Sequence, residues 1–258
     1  ANEPFKRYFP QGMVLKDGAK MSKSKGNTVD PELLITKYGA DTVRLFIMFA
    51  APPEQSLEWS EKGVQGAYRF IKRIWKLVHN HLELGVPDMS LKSKEERKEV
   101  NFLRKKTHQT ILKVKDDFER RQTFNTAIAA IMELSNTIPN EFLTEKSSIH
   151  ERQVTHEAIK AIVLMLSPIT HHLSHYLWQK IEGTNNILDQ QWPTEDKEAL
   201  IDKEVEVAIQ VNGKLRGTIK IDKGLLQKEV EVIVLKNKTV QKYITNNNIK
   251  KIIYIKDK

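Results

Sequence analysis

The sequence predicts a mainly α protein: an antiparallel helical bundle, preceded by a short mixed segment and followed by a small α+β domain. Three observations predict it. Apolar residues recur at three-and-four spacing from about residue 61 to about residue 183. They change to strict alternation at Val205, Val207, Ile209 and Val211. Ahead of the helical stretch, a loop rich in Gly, Lys and Ser lies between a short apolar strand and two helix-start signals. A length of 258 residues accommodates up to three such pieces. The boundaries fall at 1–60, 61–197 and 198–258.

In chain order, Gly12 to Leu15 reads as a strand and Asp30-Pro31 opens a helix. Asp is a good N-cap, and Pro suits the first helical position because its missing N–H has no partner there anyway. Gly39 ends that helix, Asp41 begins the next through Val43, Leu45, Phe46 and Phe49, and Pro52-Pro53 stops it. The first bundle helix carries an apolar face at Val64, Ala67, Tyr68, Ile71, Ile74, Trp75, Val78 and Leu82, and breaks at Gly85-Val86-Pro87. Four more helices follow, around Leu103–Phe118, Phe124–Leu134, Val154–Met165 and Leu173–Ile181. Then Asn212-Gly213 marks a hairpin. A plain two-residue loop would pair Val211 with Lys214 and set the apolar residues of the two strands on opposite faces. A one-residue offset, from a longer loop or a bulge, pairs Val211 with Leu215 and Val207 with Ile219. Burial of one face favours the offset, which gathers Lys214, Arg216 and Lys220 on the outer face. Helices near Leu225–Val234 and Thr239–Ile244 and a last strand at Ile252–Ile255 complete the module. The charged stretch from Glu195 to Lys203 reads as the linker.

The chain carries 42 Lys plus Arg against 33 Asp plus Glu, a net charge of +9 with a sequence pI near 9.4. The excess concentrates late: residues 198–258 hold 13 basic and 8 acidic side chains. An acidic partner such as nucleic acid suits that balance. With no cysteine, disulfides, thiolate metal sites and cysteine nucleophiles are excluded within these residues. No apolar run approaches the roughly 18 residues of a membrane helix, so no membrane partner is expected. The chain opens on Ala1-Asn2-Glu3 without an initiating Met, which reads as a piece or processed subunit of an intracellular protein.

The stretch Lys20-Met21-Ser22-Lys23-Ser24-Lys25-Gly26-Asn27 carries the chemistry. Lysines three apart among small hydroxyl residues and glycines form a cationic loop able to close on a polyphosphate. Its ammonium groups would neutralise charge on a pyrophosphate leaving group, and its hydroxyls and backbone N–H groups would add hydrogen bonds.

The string resembles the KMSKS signature of class I aminoacyl-tRNA synthetases. Asn27-x-x-Asp30-Pro31 and Tyr38-Gly39-Ala40-Asp41-Thr42-Val43-Arg44 follow in that family's order. Leu57-Glu58-Trp59, Gly63-x-x-Gly66-Ala67-x-Arg69-Phe70 and Val211-Asn212-Gly213-Lys214-x-Arg216-Gly217 resemble bacterial-type leucyl-tRNA synthetases in particular. The resemblance covers nearly the whole chain. It implies the C-terminal part of such an enzyme, cytoplasmic, with ATP as nucleotide and Mg2+ beside it in the whole enzyme. It implies that Lys20, Met21, Ser22, Lys23 and Ser24 form the ATP-binding loop, that Lys20 and Lys23 act on the ATP phosphates, Lys23 most directly, and that Ser22 and Ser24 shape the loop. It implies a bundle of the anticodon-binding type, a C-terminal domain that touches tRNA-Leu, and the catalytic core of the synthetase as a further partner. The H-x-G-H motif that this family uses for ATP does not occur here, so the piece alone is expected to be inactive.

Arg69, Lys72, Arg73 and Lys76 lie mostly off the apolar stripe of their helix and are candidates for RNA contact, as are Lys214, Arg216 and Lys220; Lys250 and Lys251 extend the second group. No metal site is expected. His171, His172 and His175 have helical spacing without a third ligand, and read as structural or surface residues. Trp75 and Trp178 read as core, and Trp192, before Pro193, as a pin for the linker.

Overall fold

The structure, a computed structural model, describes residues 8–91, 97–183, 186–201, 204–244, 249 and 251–254. It divides into two compact units, Ala1–Leu200 and Ile201–Lys258.

Local chemistry sets the helix starts of the first unit. Asp30 accepts the N–H of Glu32 at 2.9 Å and Pro31 takes the first helical position, so α1 runs Pro31–Tyr38. Gly39, at φ 84°, adopts a left-handed turn that side chains disfavour, and so lets α2 (Ala40–Ala50) start at once in a new direction. Ser60 caps α3 (Glu61–Glu83) by accepting the N–H of Gly63. After α4 (Lys98–Asp116) and α5 (Phe124–Thr137), Ser148 and Glu151 form a reciprocal capping box on α6 (Ile149–Leu166). The last helix of the unit is α7 (His171–Glu182). A small sheet precedes the bundle: β1 (Val14–Lys16) pairs antiparallel with β2 (Ala19–Lys20) and parallel with β3 (Leu57–Glu58).

One continuous core holds the unit together. Leu45 and Phe46 of α2 and Leu57 of β3 belong to the same buried cluster as Ile74, Ile131 and Ile162 of the bundle. The mixed N-terminal segment is therefore fused to the bundle by burial. Trp178 is buried and Trp192 packs on Phe118 with centroids 5.7 Å apart, as the sequence implies.

The stripe of α3 differs from the expected one. Its buried residues are Val64, Ala67, Phe70, Ile74, Val78 and His81. Tyr68, Ile71 and Leu82 are only half-buried, and Trp75 is exposed. The buried line runs along the 67–70–74–78–81 side of the helix, and Trp75 sits on its flank. His81 meets His156 of α6 across the core, Nε2 to Nδ1 at 3.0 Å. Burial, with the nearby charges of His156 and Arg152, pushes the His81 pKa down to about 4, and burial lowers that of His156 as well.

A second buried polar group closes the end of α4. A π-helical turn over Asp117–Arg121 brings the chain to Gln122, at φ 54°. Asp117 is fully buried. Its carboxylate accepts from Thr126 Oγ1 at 2.6 Å, Lys113 Nζ at 2.9 Å, Arg121 Nη1 at 3.0 Å and Thr123 Oγ1 at 3.1 Å. Burial opposes its ionisation, but these hydrogen bonds prevail and hold the carboxyl below the usual carboxylate range.

The second unit is a hairpin with two helices, α8 (Gln227–Lys236) and α9 (Lys238–Ile244). β4 (Glu204–Val211) and β5 (Lys214–Asp222) pair antiparallel. The turn is the plain two-residue kind: Asn212 and Gly213 take φ 53° and 76°, and Val211 pairs with Lys214. The expected Val211–Leu215 pair does not form. Gln210 pairs with Leu215 and Ile209 with Gly217, so Arg216 is an extra residue, a bulge. Beyond it the register is the expected offset, Val207 with Ile219 and Val205 with Ile221. The turn keeps its preferred geometry, and the bulge returns the apolar residues to one face, where Ile209 and Ile221 are buried. Residues 251–254 form no strand, and Ile255 and Lys250 lie outside the described residues.

Candidate nucleotide and nucleic-acid site

The lysine-rich loop leaves the sheet at β2. Asp17 and Gly18 form a tight turn with φ 56° and 73°, and the N–H of Gly18 bonds Glu58 Oε1 at 3.2 Å. Lys20, at the end of β2, is exposed, and Met21 donates its N–H back to Val14 O at 3.0 Å. A 3-10 turn over Lys23–Lys25 closes on Gly26, whose φ of 65° suits glycine. Ser22 and Ser24 face each other, Oγ to Oγ at 3.3 Å. Asn27 fastens both sides of the loop: its Oδ1 accepts the Ser22 N–H at 2.9 Å and its Nδ2 donates to Lys20 O at 3.3 Å. The backbone is thus tied down while Lys20, Lys23 and Lys25 stay exposed, with no ion pair to a described carboxylate. Asn27 carries the loop's shape, a role no spacing rule assigns to it.

The segment after the loop locks onto the bundle. Asp41, near the start of α2, accepts the N–H of Leu173 at 2.7 Å and contacts His172 Nδ1 at 3.1 Å, which caps α7. Arg44, one turn on, donates to Ile169 O at 2.9 Å and Pro168 O at 3.3 Å, and reaches His171 Nε2 at 2.7 Å. These carbonyls lie just past the end of α6, where a helix leaves acceptors without partners. His171 and His172 therefore serve a structural junction. Among the described residues, no three metal-ligating side chains converge.

Arg69, Lys72, Arg73 and Lys76 follow the i, i+3, i+4, i+7 pattern and share one exposed face of α3. Lys72 Nζ lies 4.7 Å from the Tyr68 ring centroid, and the Arg73 guanidinium 5.3 Å from that of Phe70. No described carboxylate pairs with any of the four. Arg69 and Arg73 border an open groove of about 820 Å³ lined also by Phe49, Gly66 and Met132.

The second unit breaks up its expected cluster. Lys214 is opposite Val211, on the face of the buried residues, and Lys220 is opposite Glu206, on the other. Arg216, freed by the bulge, stacks on Tyr243 of α9 with its guanidinium 4.3 Å from the ring centroid. The three do not share an outer face. The expectation assumed uninterrupted alternation past Leu215, which the bulge removes.

Comparison with known proteins agrees with these features. Residues 101–233 match the family described as the anticodon-binding domain of tRNA ligase, and residues 1–60 match class I tRNA synthetases of the I, L, M and V group. The leucine–tRNA ligase of Methylobacillus flagellatus is 48% identical over 257 residues, which is 100% of this chain and 31% of that protein. The leucine–tRNA ligase of Thioalkalivibrio sulfidiphilus is 51% identical over 254 residues, 98% of this chain and 31% of that protein. The chain thus spans about a third of the length of the curated relatives it matches. The LeuRS–tRNA–LeuAMS ternary complex of Agrobacterium radiobacter K84 agnB2 superposes with a TM-score of 0.74 at 28% identity, covering 99% of this chain and 33% of that one. Methionyl-tRNA synthetase of Mycobacterium tuberculosis shares the fold over 66% of this chain and 37% of its own, with a TM-score of 0.52 at 22% identity. The chain belongs to the class I tRNA ligases that carry this anticodon-binding domain, and within them to the leucine–tRNA ligase family.

Proposed function

We propose that this chain is the tRNA-docking portion of a cytoplasmic leucine–tRNA ligase and that it carries the loop that closes on ATP. One observation supports this best: the fastened loop, whose lysines have no described carboxylate partner, leaves a sheet whose β3 contributes Leu57 to the same buried core as α3, and α3 presents four cations with no described ion-pair partner. A single body would then hold a nucleotide polyphosphate and an RNA backbone in fixed relation. In this reading residues 1–60 end the catalytic domain, 61–197 form the anticodon-binding-type bundle, and 198–258 form the C-terminal tRNA-binding domain. Among the described residues no helix is long and apolar enough to cross a membrane.

Lys23, with Lys20, neutralises the phosphates as pyrophosphate departs, while Ser22, Ser24 and Met21 hold the loop's curvature. One ammonium about 4 Å from one phosphate charge contributes up to roughly 4 kcal/mol at an effective dielectric near 20. The part of that interaction that grows as charge develops on the leaving group raises the rate. Mg2+ accompanies the ATP, and the remaining catalytic core comes from the rest of the synthetase. Arg69, Lys72, Arg73 and Lys76 meet phosphates of tRNA-Leu, and Lys214, Arg216 and Lys220 add contacts from the second unit.

The test uses the whole synthetase. Lys23→Ala should slow leucine-dependent ATP–pyrophosphate exchange by about 100-fold, the cost of losing one preorganised charge-stabilising group. Its tRNA affinity should stay near that of the parent. An unchanged exchange rate would remove the loop from the chemistry.

A further inference from the structure

Trp75 of α3 is 40% exposed and Tyr176 of α7 is 39% exposed, although both helices belong to a well-buried bundle. The two rings stack with centroids 4.8 Å apart and planes 14° apart. His79, one turn along α3, stacks on the same indole at 4.4 Å and 21°. His79 and Tyr176 are themselves 6.4 Å apart and 16° from parallel. Two rings sandwiching an indole would stand at least about 7 Å apart, twice the contact distance of roughly 3.5 Å. At 6.4 Å they do not enclose the indole squarely between them. Trp75 keeps its 40% exposure, and no further ring covers it among the described residues. His79 Nδ1 donates to Trp75 O at 2.9 Å, which fixes the ring and leaves Nε2 as its acceptor.

Cations surround this platform. Lys72 and Lys76 flank Trp75 on α3 and are exposed, and Lys180 Nζ lies 5.3 Å from the Tyr176 centroid. None pairs with a described carboxylate. The first acidic residue along that row, Glu83, comes a turn beyond His79. An apolar protein surface seated here would desolvate three ammonium groups without compensation. A nucleobase with its adjoining phosphates matches both the exposed indole and the charges. A base inside a duplex has no free face to offer, so the occupant is an unpaired one.

We propose that Trp75, His79 and Tyr176 form a platform on which an unpaired base of the bound RNA stacks, its neighbouring phosphates meeting Lys72, Lys76 and Lys180. This rests on the RNA-binding reading above and adds a base contact to it. The test titrates the 258-residue chain with a tRNA-Leu transcript and follows affinity, salt dependence and tryptophan emission. Trp75→Ala should weaken binding by about 5- to 150-fold, the usual loss for one base–aromatic stack. The slope of log affinity against log salt should not change, because no phosphate contact is removed. Trp75→Phe should bind nearly as tightly as the parent while losing most of the emission quenching, a readout that holds even if Trp75→Ala folds poorly. If the parent binds and Trp75→Ala binds equally well, the platform falls and the RNA-binding reading stands. If the parent chain binds no tRNA, both fall. Conversion of an RNA-free dimer to monomer by Trp75→Ala would give the face to a second copy and overturn the proposal.

Discussion

The α3 face and the β4–β5 hairpin both present cations, but they make them available differently. The tail beyond residue 197 has the larger share of the charge excess, and on composition it is the stronger candidate for RNA. In the folded chain its cations are dispersed: Arg216 lies on Tyr243, Lys220 is opposite Glu206, and Lys214 is on the opposite side of the sheet. The bundle has the smaller excess, yet Arg69, Lys72, Arg73 and Lys76 line one helix face with no described ion-pair partner. Net charge counts residues, whereas an RNA backbone responds to charges that are unpaired, solvent-facing and regularly spaced.

Charge removal puts that comparison to its largest test. Replacing Arg69, Lys72, Arg73 and Lys76 with Ala should flatten the salt slope of tRNA-Leu binding by about 3.6, at roughly 0.9 per phosphate contact. Over a fourfold rise in salt, four such contacts correspond to an affinity change of about 150-fold. Replacing Lys214, Arg216 and Lys220 should flatten it by no more than about 2, because Arg216 is engaged by an aromatic ring. A greater flattening from the tail would reverse the ranking.

Acid should separate the two regions next. His81 and His156 are buried neutral in the bundle, whereas residues 198–258 contain no histidine. In the unfolded chain a histidine titrates near 6.5, while folded His81 titrates near 4. Between those values the unfolded state binds a proton that the folded state refuses. Stability is complete above pH 6.5 and declines as pH falls, by up to about 3 kcal/mol at pH 4 at roughly 1.36 kcal/mol per unit. His81→Asn should reduce that acid sensitivity, measured as urea unfolding of the bundle at pH 7 and pH 4.5. An equal pH dependence in the variant would show that other groups cause it.

The sequence conveys the parts of this fold that depend on local chemistry. Asp30-Pro31, Gly39 and Pro52-Pro53 bound their helices because capping and φ restrictions act within a few residues. The lysine-rich loop is legible for the same reason, as a cluster of charge and glycine. Trp75 is not. Positions 70, 71, 74, 75 and 78 all satisfy helical spacing, and only the placement of α2 and α7 against α3 decides which side of that wide stripe is covered. Asn27 is equally hidden, since its two bonds to the loop backbone arise from the folded turn. The clasp of Asp41 and Arg44 on α7 spans more than 120 residues, beyond any local rule.

The bulge is the instructive case, because two correct local rules conflict there. Asn212-Gly213 favours a two-residue turn, and one-faced burial demands a one-residue offset. Neither yields: the turn forms, and Arg216 absorbs the mismatch. The Arg216–Tyr243 contact should then stabilise the bulge more than the RNA complex. A cation–π contact of this kind contributes about 0.5–2 kcal/mol, so Arg216→Ala should speed hydrogen exchange across Ile209–Gly217 by roughly 2- to 30-fold, a range set by that energy. Tyr243→Leu should do the same, and the double variant should add little, since both changes remove one interaction. The tRNA salt slope should drop by less than the 0.9 expected of a phosphate contact. A full drop in slope, with exchange unaltered, would instead place Arg216 on the RNA and narrow the difference between tail and bundle.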